Sequence, residues 1–255
     1  MLNGKCISVQ HWNAPTKDIS RVDGIGSYDL DTAPIFDSAY LYEATTTTHG
    51  TNESHIHTHL AHTDISTPLI NAFGALRSMN TQLTLLHSAL GNKLWQTITP
   101  IEIDRLLDPI VRMFLSSSAR LDSPSATGAC IRSGALLYLA EFRRRSGISP
   151  VIIDLHIRNL SQAMMDASFI ALDSSLRIWL LTIGAIEERS SVSYPHEGGG
   201  FFYRWLAIEL AGYGITSLSE YKRLLSDIVW FDLLFDEKLN YLAKDMNLGF
   251  SSLCI

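Results

Sequence analysis

From Thr67 to about Met246, apolar residues recur every three to four positions in one segment after another. In the first segment Leu69, Phe73 and Leu76 are spaced so that they fall on one face of an α-helix. No segment shows the alternation of apolar and polar residues, followed by a hairpin turn, that is typical of paired β-strands. The pattern predicts an all-α fold, an irregular bundle of about seven or eight helices.

Capping residues, prolines and glycines indicate where these helices begin and end. Thr67-Pro68 and Thr99-Pro100 each combine an N-cap side chain with a proline at the first helical position. Gly147 follows a basic helix end and stops that helix. The predicted helices are one from Thr67 that breaks near Asn80, one that begins at Thr99-Pro100, and those over residues 127–145, 150–169, 172–188, 201–213 and 217–246.

The first 66 residues differ from the rest of the chain. They contain turn formers such as Ala33-Pro34, a threonine run from Thr45 to Thr48, and little helical periodicity. Such a segment buries too little apolar surface to offset the conformational entropy lost on ordering. We therefore predict a loosely ordered N-terminal arm over residues 1–66 and a helical domain over residues 67–255.

Charge argues against a nucleic-acid-binding protein. The net charge is −6, whereas a protein that binds nucleic acid concentrates lysine and arginine to displace counterions from phosphates. The densest basic cluster is the short run Arg143–Arg145 at one predicted helix end. We expect no direct nucleic-acid contact.

Cysteine content and hydropathy indicate an intracellular protein. Cys6, Cys130 and Cys254 are far apart and odd in number, which argues against a disulfide framework and fits a reducing compartment. No apolar run reaches the roughly 18 uncharged residues that a membrane span needs. The N-terminus lacks a basic start followed by an apolar block, so we expect no secretion signal. The expected location is the nucleus or the cytoplasm, without membrane contact.

Three segments in the C-terminal part of the chain carry, in order, the likeness of one family. CIRSGALLYLAEF (Cys130–Phe142) is similar to a helix that reads C-x-x-A-A-L-x-Y/F-L in the regulatory domains of fungal-specific transcription factors. LRIWLLTIGAIEE (Leu176–Glu188) resembles their segment LLWLLLIGGIAA, and the range Tyr221–Met246 resembles their closing helix, including its acids at Asp232 and Asp236. Between the last two, FFYRWLAIEL stands where the family has an RxWFxxxL helix.

The resemblance covers about half of the chain and implies a helical regulatory or ligand-sensing domain. In the family this domain is normally attached to a Zn2Cys6 cluster, in which six closely spaced cysteines hold two zinc ions. Three scattered cysteines cannot form that cluster, so the DNA-binding activity does not carry over. We expect a stand-alone regulatory domain with no cofactor that binds a small apolar metabolite or a protein partner. One form of that role is a co-regulator of a metabolic gene cluster.

Histidines are concentrated in the predicted arm, in the sequence HGTNESHIHTHLAHT. On an extended chain His55, His57 and His59 would place three imidazoles on one face, an arrangement that suits zinc or copper. The alternative is a solvated segment whose histidines have no specific role. The nearby carboxylates that could orient metal-binding histidines are Glu53 and Asp64.

Four residues are candidates for acid–base chemistry. Asp232 and Asp236 are one helical turn apart and share a face, but the DDxxD motif of metal-diphosphate cyclases is absent, so a helix-surface role competes. His87 and His156 lie in predicted helices and could transfer protons or be hydrogen-bonded structural residues. These residues support the alternative function, an enzyme of fungal secondary metabolism, of cyclase or isomerase type, with its pocket in the same helical scaffold.

Aromatic residues in the last third of the chain allow a further site. Trp179, Trp205, Trp230 and Phe231 are most simply core residues, but they could also line an apolar pocket between helices, a common location for small-ligand sites. A closed apolar cavity with convergent polar groups would favour the enzyme. A shallow exposed apolar patch would favour a partner surface.

The glycine triplet Gly198–Gly200 separates two predicted helices. It lacks the lysine and serine of a phosphate-binding loop, and no predicted strand precedes it. We interpret it as a flexible connection between helices.

Overall fold

The computed structural model describes residues 65–119, 125–148, 153–166, 169–190, 200–246 and 248. Regular structure within these ranges is helical, which confirms the predicted all-α fold. Residues 1–64 of the predicted N-terminal arm lie outside the described residues. The described part contains nine α-helices: α1 (Thr67–Leu90), α2 (Leu94–Thr97), α3 (Pro100–Ala119), α4 (Ala126–Arg145), α5 (Ile153–Met164), α6 (Ser174–Ser190), α7 (Phe201–Tyr213), α8 (Leu218–Ile228) and α9 (Asp232–Asp245).

The first helix begins where the Thr67-Pro68 pair predicts, but the predicted break near Asn80 is wrong. α1 continues without interruption to Leu90. The Asn80 side-chain amide does not compete for the hydrogen bonds of its own helix backbone, because it bonds residues in other parts of the chain. Its Nδ2 donates to the Trp230 carbonyl at 2.7 Å, and its Oδ1 accepts from the Tyr138 hydroxyl at 2.9 Å.

The predicted single helix over residues 217–246 is also wrong, because the chain breaks between Ile228 and Asp232 into α8 and α9. Two carbonyls at this break have side-chain partners from distant helices. The Trp179 indole N–H donates to the Val229 carbonyl at 2.7 Å, and Asn80 donates to the Trp230 carbonyl. A helix can end inside the protein when its terminal carbonyls are bonded in this way.

The other helix boundaries follow their local signals. α4 begins after Ser125, whose hydroxyl accepts from the Gly128 N–H at 3.0 Å, and it ends before Gly147, which has φ of 76°. α7 runs over Phe201–Tyr213 as predicted. α5 ends at Met164, short of the predicted residue 169. The predicted end at residue 169 is therefore wrong. After Met164 the N–H groups of Met165 and Asp166 donate to carbonyls three residues back, at 3.2 and 3.3 Å, so the helix ends in a tightened turn.

The centre of the described structure is formed by α4 and α6. They approach so closely that a Cβ at Gly134 would lie 2.3 Å from Cδ2 of Leu180. The Trp179 ring lies in the middle of an aromatic cluster, with centroids 5.6 Å from Phe73 and 5.8 Å from Tyr138. Aromatic pairs at these separations add to the stability gained from burial. The α4–α6 pair is therefore the framework on which the remaining helices pack.

Candidate functional site

The helix α7, FFYRWLAIELAGY, is apolar on nearly every side. A helix of that composition is ordinarily buried all round. In α7 the residues buried are Phe202, Leu206 and Leu210, which lie on one side of the helix. The opposite side also carries large apolar side chains, and these are exposed. This side is therefore an apolar surface on a helix that is already packed on its other side.

α6 holds α7 at close range. A Cβ at Gly184 would lie 2.3 Å from the Phe202 ring, so the ring fits only because residue 184 is glycine. One turn from the C-terminal end of α7, Glu209 accepts from the Arg177 guanidinium, with Nε–Oε1 at 3.2 Å and Nη2–Oε2 at 3.0 Å. A bidentate pair of this kind fixes orientation as well as distance. The face of α7 turned toward α6 is therefore set by packing and by charge.

A carboxylate from α6 caps the beginning of α7. Glu188 Oε1 accepts from the Phe201 N–H at 2.8 Å, and Oε2 accepts from the Phe202 N–H at 3.2 Å. A Cβ at Gly200 would occupy the place of the Glu188 carboxylate, so a larger residue at position 200 would require Glu188 to move. Burial raises the pKa of Glu188, and the backbone N–H groups of α7 act in the opposite direction. Gly200, predicted to be part of a flexible connection, thus belongs to a capping contact; Gly198 and the residue after it lie outside the described residues.

The α7 face, as we call it, consists of the exposed residues Trp205, Ile208 and Gly212 together with Phe201, which is half-buried against the core. These residues are spaced by four, three and four positions and fall on one stripe of the helix. Trp205 is 44% exposed and Ile208 is 63% exposed. Arg204 is an exposed charge beside the stripe. Sequence reasoning named Trp205 but missed Ile208 and Gly212. The feature of the sequence that could have indicated this face is that the helix has apolar residues on both of its sides.

The other three aromatic pocket candidates lie in the core. Trp179 is completely buried in the cluster described above, and its indole N–H is used at the α8–α9 break. Trp230 packs on Phe235, with ring centroids 5.0 Å apart, and Phe231 stacks on Phe142 at 5.7 Å. The side chains of Trp179, Trp230 and Phe231 therefore serve to join α1, α4, α6 and α9.

The structure separates the four acid–base candidates. His87 lies in the last turn of α1, where its Nδ1 is 3.1 Å from the Gly91 carbonyl, and His156 is buried on α5. Asp236 accepts from the Trp230 indole N–H at 3.3 Å and pairs with Lys222. Partial burial and the neighbouring Asp236 raise the pKa of Asp232 in the first turn of α9. Of these four residues, Asp232 and Asp236 interact with each other, through their charges and a hydrogen bond.

A shallow open depression of about 210 Å³ lies between α6 and α9. None of the acid–base candidates lines it. Its lining contains two cations, Arg189 and Lys238, each already paired with a carboxylate, from Asp245 and Glu141 respectively. The remaining lining residues are Ile186, Ser190, Tyr241 and Leu242.

An ion network with buried carboxylates and partly exposed cations joins three helices, and sequence reasoning did not identify it. Arg144 on α4 holds Glu187 on α6, with Nη2–Oε2 at 2.7 Å, and it also pairs with Glu141. Lys238 on α9 donates to Glu141 at 2.6 Å. Burial raises the pKa of Glu187, and the charge of Arg144 opposes the shift. Since such a pair adds little net stability but is costly to break, the network fixes how α4, α6 and α9 meet.

The metal-ligand candidates and the thiol candidate differ in whether the structure describes them. His55, His57 and His59 lie outside the described residues. Within the described ranges, no group of three or more histidines, cysteines or acids is placed to hold a metal ion. Burial raises the pKa of the Cys130 thiol to about 12, which keeps it protonated and unreactive at neutral pH.

Comparison of the chain with family models, with curated proteins and with solved structures gives no match. The resemblance to fungal-specific transcription factors therefore stays a prediction. Among the described helices, none combines the length and the apolar content needed to cross a bilayer.

Proposed function

We propose that this chain is a non-enzymatic regulatory domain that acts by binding a protein partner through the α7 face. The observation that carries the proposal is the exposed indole of Trp205 next to exposed Ile208 on a helix that is already well packed on its other side. Tryptophan is among the residues that contribute most at protein interfaces. A contiguous exposed apolar patch on a folded domain is typical of an interaction surface.

The use of the other aromatic residues supports a surface rather than an internal site. Trp179, Trp230 and Phe231 fill the core against neighbouring rings. Asp236 is engaged by Lys222 and by the Trp230 indole, so this carboxylate already has partners. The apolar side chains left for recognition are those on the surface, and the α7 face groups two of them, Trp205 and Ile208.

The resemblance to fungal-specific transcription factors supplies the biological role in this proposal. A regulatory domain with an acidic net charge would act on transcription through another protein. It would do so in the nucleus or in the cytoplasm. Full burial of one large apolar side chain contributes about 1.5–3 kcal/mol, so the α7 face can support a reversible contact of the kind that regulators use.

The test replaces one exposed aliphatic residue on α7 and a matched one on α1. Ile208 and Leu85 are both exposed, at 63% and 66%, and both lie inside helices. The gene is deleted in its source organism, and full-length variants are returned with transcript profiles as the readout. We expect Ile208→Asp to fail to restore the wild-type profile, while Leu85→Asp restores it, at equal protein levels.

Two outcomes overturn the proposal. One is full restoration by Ile208→Asp. The other is failure of a folded Asp232→Asn variant whose α7 face is intact, which would favour the enzyme of cyclase or isomerase type.

A further inference from the structure

We infer that the partner of the α7 face is a second copy of this chain, with the two α7 helices packed parallel and in register. The inference rests on the proposed function, because it assigns an occupant to the same face. Three observations on α7 carry it: the spacing of the apolar residues, the position of the charges beside them, and a glycine that the single chain does not require.

The spacing of the α7 face is that of a short coiled-coil seam. Phe201, Trp205, Ile208 and Gly212 alternate steps of four and three residues, which corresponds to positions d, a, d and a of a heptad repeat. In a parallel pair related by a two-fold axis along the helices, each of these residues meets its counterpart. A self-complementary stripe of this kind is what an isologous interface requires.

The charges beside the stripe select the parallel orientation. Arg204 directly precedes Trp205 and so occupies a g position, while Glu209 directly follows Ile208 and occupies an e position. In a parallel pair a g residue faces the e residue five positions further along the partner helix, so Arg204 faces Glu209 of the second copy, and symmetry repeats this contact. In an antiparallel pair, g positions would face g positions. The Arg204 side chains of the two copies would then lie on the same flank of the helix pair, away from Glu209.

Both charged residues are available for this contact. Arg204 is exposed, and its Nε–H reaches the Gly200 carbonyl of its own helix at 3.4 Å. Glu209 is held in place by Arg177. A carboxylate has about four lone-pair sites and can accept from a further guanidinium. The geometry therefore presents Glu209 as a fixed acceptor at the edge of the seam.

Gly212 gives an independent reason for a second helix. A Cβ at this position would meet no atom within 4 Å, so nothing in the single chain requires glycine there. Glycine within a helix costs up to about 1 kcal/mol relative to alanine. Close approach of another backbone would explain its presence. The two helices would then be nearest at Gly212 and further apart at the large side chains of Trp205 and Phe201.

The size of the contact predicts a reversible dimer. A helix of this length is about 20 Å long, and a pair of such helices buries less than the roughly 800 Å² per partner of a standard interface. We therefore expect dissociation in the micromolar range, so that the dimer forms or separates with changes in protein concentration.

The experiment is sedimentation equilibrium on the full-length chain and on four variants. Trp205→Ala removes the largest side chain of the seam and is expected to weaken dimerisation about thirtyfold or more. Arg204→Glu places like charges against Glu209 and is expected to weaken it roughly fivefold. Gly212→Lys replaces glycine by a better helix former in the last turn, so it should keep or raise thermal stability while two lysines meet in the dimer. Leu85→Asp is the control and should dimerise like the wild type.

The inference is overturned if the wild-type chain is monomeric throughout the micromolar range, or if none of the three α7 variants weakens its dimer. The same experiments distinguish failure of the dimer from failure of the proposed function. A monomeric wild type combined with loss of the transcript profile in Ile208→Asp refutes the dimer and keeps the partner surface. A dimer broken by Gly212→Lys combined with a normal profile in Ile208→Asp keeps the dimer and refutes its role in regulation.

Discussion

Helices α6 and α7 both carry large apolar side chains at helical spacing, and their surroundings are very different. Every residue of α6 from Ile178 to Glu188 is buried, whereas α7 is buried on one side only. The contrast is clearest in their tryptophans: Trp179 is 0% exposed and Trp205 is 44% exposed. Both residues lie within apolar sequence at helical spacing, so neither pattern by itself distinguishes them.

The difference shows that burial is decided by neighbouring helices rather than by composition. α6 packs against α4, α5, α7, α8 and α9, so even its carboxylates Glu187 and Glu188 are buried and must be bonded. α7 packs chiefly against α6. An apolar helix with one principal neighbour keeps an apolar face toward solvent, and this is the face to which we assign a partner.

The largest effect that tests this comparison is expected from the two tryptophans. Trp179→Ala should lower the free energy of unfolding by about 3–5 kcal/mol, because it leaves a cavity in the aromatic cluster. Trp205→Ala should change it by less than about 0.5 kcal/mol, as is usual for an exposed site. The measurement is urea unfolding followed by circular dichroism, at a concentration where the chain is monomeric.

Trp179→Phe serves if the alanine variant does not fold. It keeps most of the ring but removes the N–H that bonds the Val229 carbonyl, and should cost about 1–3 kcal/mol. Equal losses for the Trp179 and Trp205 variants would contradict the distinction between the two helices.

Two glycines provide the second test. Gly184→Ala forces a methyl group into the Phe202 ring and should destabilise the protein by about 1–3 kcal/mol, the usual cost of overpacking. Gly212→Ala meets open space and should be neutral or stabilising by up to about 1 kcal/mol. The measurement is the thermal unfolding midpoint of each variant. Because the substitution is the same in both, a difference between the midpoints reports the different surroundings of the two glycines. Destabilisation by Gly212→Ala in the monomer would mean that its surroundings are not open.

The smallest effect is expected at Glu188, which joins the two helices, and it depends on pH. Burial raises the pKa of Glu188 above its ordinary 4.5, so between these two values the folded chain binds more protons than the unfolded chain. The free energy of unfolding should therefore fall as pH rises through that window. Glu188→Gln should remove this part of the fall, measured as urea midpoints on both sides of pH 4.5.

Glu102 provides a comparison of opposite sign. Its carboxylate accepts from the Thr99 N–H at 2.8 Å, and this hydrogen bond lowers the pKa of Glu102. Its contribution is present above the ordinary pKa and is lost as pH falls through the lowered one. Glu102→Gln should therefore reduce the loss of stability in acid. If Glu188→Gln instead costs more stability relative to the wild type above the pH window of the Glu188 titration than below it, the direction assigned to the Glu188 pKa is wrong.

Helix positions were accessible from sequence where the signal is local. Thr67-Pro68 and Thr99-Pro100 mark the beginnings of α1 and α3, and Gly147 marks the end of α4. Each signal acts within about one helical turn, because caps and prolines satisfy or remove backbone donors there. The range 201–213 was predicted in full for the same reason: Gly200 and Gly214 bound it.

Two of the errors involve residues far apart in sequence. Asn80 stays within α1 because its amide reaches Trp230 and Tyr138, and the chain breaks after Ile228 because Trp179 and Asn80 bond the carbonyls there. In the candidate site, too, the sequence identified residue types, whereas their burial depended on contacts between distant residues. Trp205 was named as one of four equivalent aromatics, and only its surroundings separate it from the other three.

By itself the sequence determined that this protein is helical and where most of its helices lie, since a 3.6-residue period and capping residues act over a few neighbouring positions. The tertiary structure alone decided that α8 and α9 are separate helices, that Glu188 caps α7, and that one face of α7 meets solvent. The physical reason is that burial and the pairing of polar groups depend on residues that only the folded chain brings together.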